Sequence, residues 1–178
     1  MTENSTITDM GLPSFARQLR DVDDMENLVA CFDLWAPTVT GYAPLDHDLG
    51  RQHCRAALAY SHSLGTANFL LYVVMAFSGR PLGNLEHGFI AELVESAKIG
   101  RLPPLVSDGL MAEVAVLGAD IETMREHEEF MFRALSVGRL HPELFYNYVV
   151  ELISGGQGES IGAAVYLLAG AAFSGVLH

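Results

Sequence analysis

Residues 66–78 read TANFLLYVVMAFS, and this stretch decides the kind of fold. No charged side chain occurs between residues 63 and 79, but the continuously apolar part is only Phe69–Phe77. Nine residues of helix are too short for the roughly 30 Å apolar core of a bilayer. A helix that is apolar on nearly every side is typical of the centre of a helical protein. The sequence therefore predicts a buried helix over 67–78, capped by Thr66.

A second uncharged stretch, 160–177, is rich in alanine and glycine and has no Arg, Lys or Trp at its ends. Membrane-spanning helices carry such anchoring residues, so we predict a buried last helix here. A membrane hairpin of the two stretches is the less favoured alternative. Small residues four apart, Gly170 with Ser174 and Ala171 with Gly175, allow another helix or a second copy of the chain to approach closely.

Helical periodicity continues along the rest of the chain, without the sustained alternation of β-strands. Proline and glycine divide it into short segments. The predicted helices span residues 13–20, 23–35, 46–64, 67–78, 84–98, 107–117, 120–137, 142–155 and 160–177. We expect an all-α fold without a sheet, a single-domain bundle of about seven to nine short helices over 11–178, after a flexible tail at 1–10.

Several helix ends have local signals. Asp46 is the expected N-cap of the third helix, and Gly65 its expected end. His141, Pro142 and Glu143 have the order of an N-cap followed by the first two helical positions, because proline fits the first turn.

The charge balance restricts the class of partner. The chain has 22 acidic and 10 basic residues, with a net charge of −12. A negative body repels phosphate backbones and anionic lipid, so we expect neither nucleic-acid nor membrane binding. Cys31 and Cys54 match no disulfide framework or CxxC motif, and residues 1–10 do not resemble an export signal. The expected compartment is the cytoplasm.

Four basic side chains form a stripe on the predicted third helix. His47, Arg51, Arg55 and His62 fall at i, i+4, i+8 and i+15, on one helical face. One interpretation is a socket for an anionic ligand, held by the arginine forks. Its apolar part would be lined by Tyr60, His62 and Trp35. The other interpretation is an internal salt bridge to an acidic helix such as that over 120–137.

Two acidic clusters are candidate docking surfaces for a protein partner. They consist of Asp21, Asp23 and Asp24 near the start and Glu122, Glu126 and Glu129 on the seventh helix. No Glu precedes a His by three residues, which disfavours a di-iron carboxylate site, and GGQGES at 155–160 lacks the strand and the lysine of a phosphate loop. We predict no catalytic set, no metal and no cofactor, although a looser metal site from His87, Glu126, His127 and His141 stays open.

The favoured hypothesis is a non-enzymatic cytoplasmic helical protein that acts through protein–protein interaction, as an adaptor, chaperone or inhibitor, with an acidic docking surface. Its partner would be another protein of basic character, or a second copy of the chain bound through the C-terminal helix. The alternative is a helical small-molecule-binding protein or enzyme, with an anionic ligand held by the Arg/His stripe.

Overall fold

The computed structural model describes residues 12–18, 32–99, 141–156 and 158–176. Within these ranges the fold is all-α, as predicted, apart from one pair of two-residue strands. Its helices are α1 (Ala43–Leu64), α2 (Asn68–Phe77), α3 (Asn84–Ile99), α4 (Pro142–Gly155) and α5 (Gly158–Val176). The tail at 1–10 and the helices predicted over 107–117 and 120–137 lie outside the described residues, so the total of seven to nine helices stays a prediction.

The glycine and proline signals at helix ends are confirmed. Gly65 ends α1 in the left-handed conformation, with φ of 70°, and its N–H bonds back to the last turn. Gly156 ends α4 in the same way, with φ of 69°. α4 has His141 as its N-cap residue and Pro142 in its first turn.

The expected role of Asp46 as a helix cap is wrong. α1 begins earlier, with Tyr42 as its N-cap residue and Pro44 in the first turn. Asp46 therefore lies inside the first turn, where its buried carboxylate accepts hydrogen bonds from Thr40 N (2.7 Å), Thr40 Oγ1 (2.6 Å) and Gly41 N (3.1 Å). These bonds hold the loop that leads into α1, and they lower the pKa of Asp46.

The first two predicted helices are also corrected where the structure describes them. Arg17–Gln18 forms strand β1 and Phe32–Asp33 forms strand β2, and they pair antiparallel with Arg17 opposite Asp33. This pairing of two residues per strand is the sheet that the sequence analysis did not expect. Helical spacing does not predict this conformation, because Phe15 and Trp35 are buried in tilted ring contact at 5.5 Å, with Phe15 in a turn closed by a hydrogen bond from Ala16 N to the Pro13 carbonyl.

The core lies where α2, α3 and α5 meet. α2 buries the leucines and valines of its uncharged stretch, in agreement with the prediction of a central helix. α5 packs against α2 and α3 and buries an apolar run from Ala164 to Ala169. Among the described residues, no helix has the combination of length and apolar character needed to cross a bilayer.

Two glycines let α1 and α3 cross with their backbones in contact. A Cβ on Gly50 would lie 2.0 Å from the carbonyl oxygen of Leu85. A Cβ on Gly88 would lie 2.0 Å from the carbonyl oxygen of His47. No larger residue fits either position unless the helices move apart. The crossing sets which side chains of the two helices meet, and it therefore positions the candidate site.

Candidate functional site

Arg51 and Arg55 of α1 both bind the carboxylate of Glu92 on α3. Arg51 Nε donates to Glu92 Oε2 at 2.8 Å. Arg55 Nε donates to Oε1 at 2.6 Å, and its Nη2 donates to Oε2 at 3.1 Å. The Glu92 side chain is only 9% exposed, whereas those of Arg51 and Arg55 are 37% and 62% exposed. The carboxylate is thus covered by two guanidinium groups that themselves reach water.

The two arginines keep Glu92 ionised. Burial alone would raise the pKa of Glu92, but the hydrogen bonds and positive charges of Arg55 and Arg51 outweigh it and hold the pKa below its ordinary value. The same contact raises the pKa of Arg55. Cys54, fully buried beside this group, has a strongly raised pKa because of burial and then of the Glu92 charge. A thiol in this environment stays protonated and is a poor nucleophile.

Chemically, this arrangement is an internal salt bridge with one net positive charge. This agrees with the second interpretation of the basic stripe as to the kind of contact. The acidic partner that the structure shows lies on α3, and the helix predicted over 120–137 lies outside the described residues. Sequence reasoning missed Glu92. The signal was its spacing from Leu85, Phe89 and Leu93, which puts a carboxylate on the apolar face of α3.

The other predicted members of the ligand socket contact different parts of the molecule. Tyr60 packs its ring against Phe69 at 4.7 Å, which agrees with its position about 180° around the helix from Arg51. His62 is exposed and faces the ring of Phe173 at 5.4 Å. The structure therefore brings Arg51 and Arg55 together, and leaves Tyr60 and His62 elsewhere.

Trp35 is part of the aromatic core. Its ring contacts those of Phe77 (4.8 Å) and Phe89 (5.3 Å), and its Nε1 donates to Glu86 Oε1 at 2.7 Å. A cavity of about 370 Å³ adjoins it, and the lining includes Val39, Arg80 and Glu86.

His47 lines a separate cavity of about 470 Å³ between α3 and α4. Lys98, Glu143 and Tyr146 also line this cavity, and Lys98 Nζ is 2.6 Å from the carboxylate of Glu95 on the same helix. Both signs of charge are thus present, so the lining does not favour an anionic ligand.

Tyr146, which lines this cavity, is hydrogen-bonded to His87. Tyr146 Oη is 2.9 Å from His87 Nδ1 and donates to the His87 carbonyl at 3.3 Å. Burial raises the pKa of Tyr146. His87, one of the possible metal ligands, is therefore hydrogen-bonded to the hydroxyl of Tyr146, while His141 is exposed. The described residues contain no group of three or more His, Cys, Asp or Glu side chains placed to hold a metal ion.

The two acidic docking clusters, 21–24 and 122–129, lie outside the described residues, as does Cys31; Cys54 is a free thiol. Comparison with protein-family models, with curated proteins and with solved structures finds no match to this chain.

Proposed function

We propose that this chain is a non-enzymatic interaction protein of the cytoplasm that docks a basic protein partner through acidic surface. The observation that carries the proposal is the internal pairing of its cations. Besides Arg51 and Arg55 on Glu92, Lys98 pairs with Glu95, and Arg80 lies 3.9 Å from Glu86. Of the arginines and lysines in the described part of the chain, only Arg17 is outside these pairs.

These four cations lie against three carboxylates, so the group leaves only one positive charge to offset the acidic charge of the rest of the chain. The net charge of −12 then falls on carboxylates elsewhere, among them the exposed Asp48, Glu143 and Glu151 and the two acidic clusters at 21–24 and 122–129. A surface of one sign attracts a partner of the other and raises the association rate by about 10- to 1,000-fold at low salt. The proposed docking surface consists of the two clusters, where carboxylates are densest along the sequence.

The ligand-socket alternative receives less support. An anion approaching Arg51 and Arg55 would meet the carboxylate of Glu92, which already accepts from both Nε atoms. A phosphate or carboxylate ligand would have to displace the Glu92 carboxylate from the arginines, and that carboxylate would then be buried and charged without a partner. Repulsion between the ligand and Glu92 also opposes binding.

The proposal is tested with two variants of equal charge change. The first carries Glu122→Gln, Glu126→Gln and Glu129→Gln. The control carries Asp48→Asn, Glu143→Gln and Glu151→Gln, which neutralise exposed carboxylates outside the clusters. Wild type and both variants are used as bait in pull-downs from lysate of the source cells, at low and at raised salt. The proteins that each bait retains are quantified by mass spectrometry. A specific partner is one that the first variant loses by about tenfold or more and the control keeps.

Equal losses in both variants would show non-specific charge attraction and contradict the proposal, as would a basic partner whose binding does not weaken with salt. Native mass spectrometry of the purified chain distinguishes a partner from a second copy or a ligand. We expect 19.3 kDa or a whole multiple of it. An extra mass lost on denaturation would favour the ligand alternative, and Arg51→Gln with Arg55→Gln should then abolish it.

A further inference from the structure

Two non-helical pieces of chain lie over the helices, and we call them the strap: residues 12–18 and 32–42. They are joined by the β1–β2 pairing and by a hydrogen bond from Ala36 N to the Phe15 carbonyl at 2.9 Å. Phe15 and Trp35 anchor the strap, with exposures of 1% and 7%. Two rings inserted among side chains of the helices thus anchor the strap, together with its hydrogen bonds to Glu86 and Asp46.

His53 of α1 lies directly under both anchors. Its ring centroid is 5.0 Å from that of Phe15 and 6.0 Å from that of Trp35, where the contact is edge-on. The residue is 8% exposed, and its Nε2 has no hydrogen-bond partner among the described residues. A neutral imidazole tolerates this position, but an imidazolium needs acceptors and water that the two rings exclude.

We propose that the strap is a pH-sensitive cover: protonation of His53 releases Phe15 and Trp35 from the helices while α1–α5 stay folded. Release would expose the aromatic side chains on which the anchors rest. These are Phe69 beside Phe15 at 6.4 Å, and Phe77 and Phe89 beside Trp35.

The other titratable groups around the strap do not provide the same switch. Asp33 accepts from Trp35 N at 3.3 Å within the strap, and Glu86 of α3 accepts from the indole of Trp35. Cys54 of α1 is protonated at neutral pH because burial raises its pKa. α2 presents Phe69 and Phe77 to the anchors. Among the residues that the structure describes, no charge compensates His53, and burial is the cause that lowers its pKa.

The sign of the pH effect follows from that lowered pKa. His53 binds a proton less tightly when the strap is docked than when it is released. Docking is therefore fully favoured above the ordinary histidine pKa of 6.5, and it weakens as pH falls towards the lower pKa that His53 has in the docked state. Between the two values, the ratio of released to docked strap rises by up to about tenfold per pH unit. Asp46, whose lowered pKa keeps it charged across this range, continues to hold Thr40 and Gly41.

Trp35 is the only tryptophan of the chain, which makes its fluorescence a specific probe of the strap. Acrylamide quenching of Trp35 is measured from about pH 7.5 to about pH 5. Quenching constants are divided by the fluorescence lifetime, so that direct quenching by imidazolium does not contribute. We expect the bimolecular constant to rise several-fold as pH falls, with helical circular dichroism unchanged. Loss of helix at the same pH would mean global unfolding and overturn the proposal.

His53→Leu removes the titrating group and the unpartnered nitrogen, so its quenching should not change over this range. His62→Leu makes the same substitution at an exposed position of the same helix and should keep the wild-type response. A response retained in His53→Leu would overturn the proposal. If that variant fails to fold, NMR of the wild type decides. The imidazole of His53 and the indole N–H of Trp35 should titrate together, and an indole signal that stays fixed while His53 titrates would refute the switch.

Discussion

Replacing Gly88 by alanine should destabilise the protein although alanine is the better helix former. Gly88 lies inside α3, where alanine would gain up to about 1 kcal/mol in helix propensity. The added Cβ, however, would lie 2.0 Å from the carbonyl oxygen of His47, and ordinary van der Waals contact begins at 3.4 Å. The clash involves backbone on both sides, so no side-chain rotation can relieve it.

The magnitude follows from what must move. α1 and α3 have to separate by more than an ångström near the crossing, which disturbs the buried Leu85 and Phe89 and lengthens the bonds to Glu92. Overpacking of this kind costs about 1–3 kcal/mol and exceeds the gain in propensity. For a chain of this length, a net loss of about 1–2 kcal/mol lowers the melting temperature by roughly 2–8 °C.

The assay is urea unfolding followed by circular dichroism, with Gly155→Ala as the matched control. Gly155 is also helical, at the end of α4, but a Cβ there meets nothing within 4 Å. The control should be neutral or stabilised by up to about 1 kcal/mol. A Gly88→Ala variant as stable as wild type, beside a control that behaves as expected, would refute the close crossing of α1 and α3.

Three further substitutions test the contacts around this crossing. Glu92→Gln removes the charge shared by Arg51 and Arg55 and should cost about 1–2 kcal/mol at neutral pH in urea unfolding, less than a fully buried pair because both guanidinium groups reach water. Since the pKa of Glu92 is lowered in the folded state, the difference in unfolding free energy between wild type and Glu92→Gln should be present above the ordinary glutamate pKa of 4.5 and shrink as pH falls below it. A difference in unfolding free energy that does not depend on pH would contradict the ion pair. Asp46→Asn weakens the acceptor for the loop before α1 and should lower the melting temperature by a few degrees; an unchanged value in calorimetry would contradict that role. Tyr146→Phe removes the hydroxyl bound to the imidazole of α3 and should cost about 1 kcal/mol, and equal urea midpoints for variant and wild type would show that this bond does not stabilise the fold.

The parts of the fold that local sequence could predict are those that local chemistry determines. Gly65 and Gly156 end their helices because glycine adopts the left-handed conformation, and Pro142 begins one because its φ suits the first turn. The segments around Phe15 and Trp35 were predicted wrongly for the opposite reason. Their conformation depends on burial of both rings against helices distant in sequence, which apolar spacing alone does not reveal.

The candidate site shows the same division between local and distant information. Helical periodicity placed Arg51 and Arg55 on one face of α1, and the structure agrees, but it could not name their partner. An ion pair between two helices depends on which helices cross and at which residue. Spacing within a single helix therefore leaves a ligand socket and an internal salt bridge equally compatible with the stripe.

Gly50 and Gly88 indicate which helices cross, which the basic stripe alone does not. Gly50 and Gly88 are helix-internal residues that cost propensity, a cost that backbone contact at a crossing explains. Arg51 directly follows the crossing on α1, and Glu92 lies one turn beyond it on α3. With Gly50 and Gly88 at the crossing, the register places Arg51 and Arg55 beside Glu92, the most buried carboxylate of α3. Charge pairing and close packing thus specify the same crossing, and the contact with Glu92 accounts for the position of Arg51 and Arg55 on one face of α1.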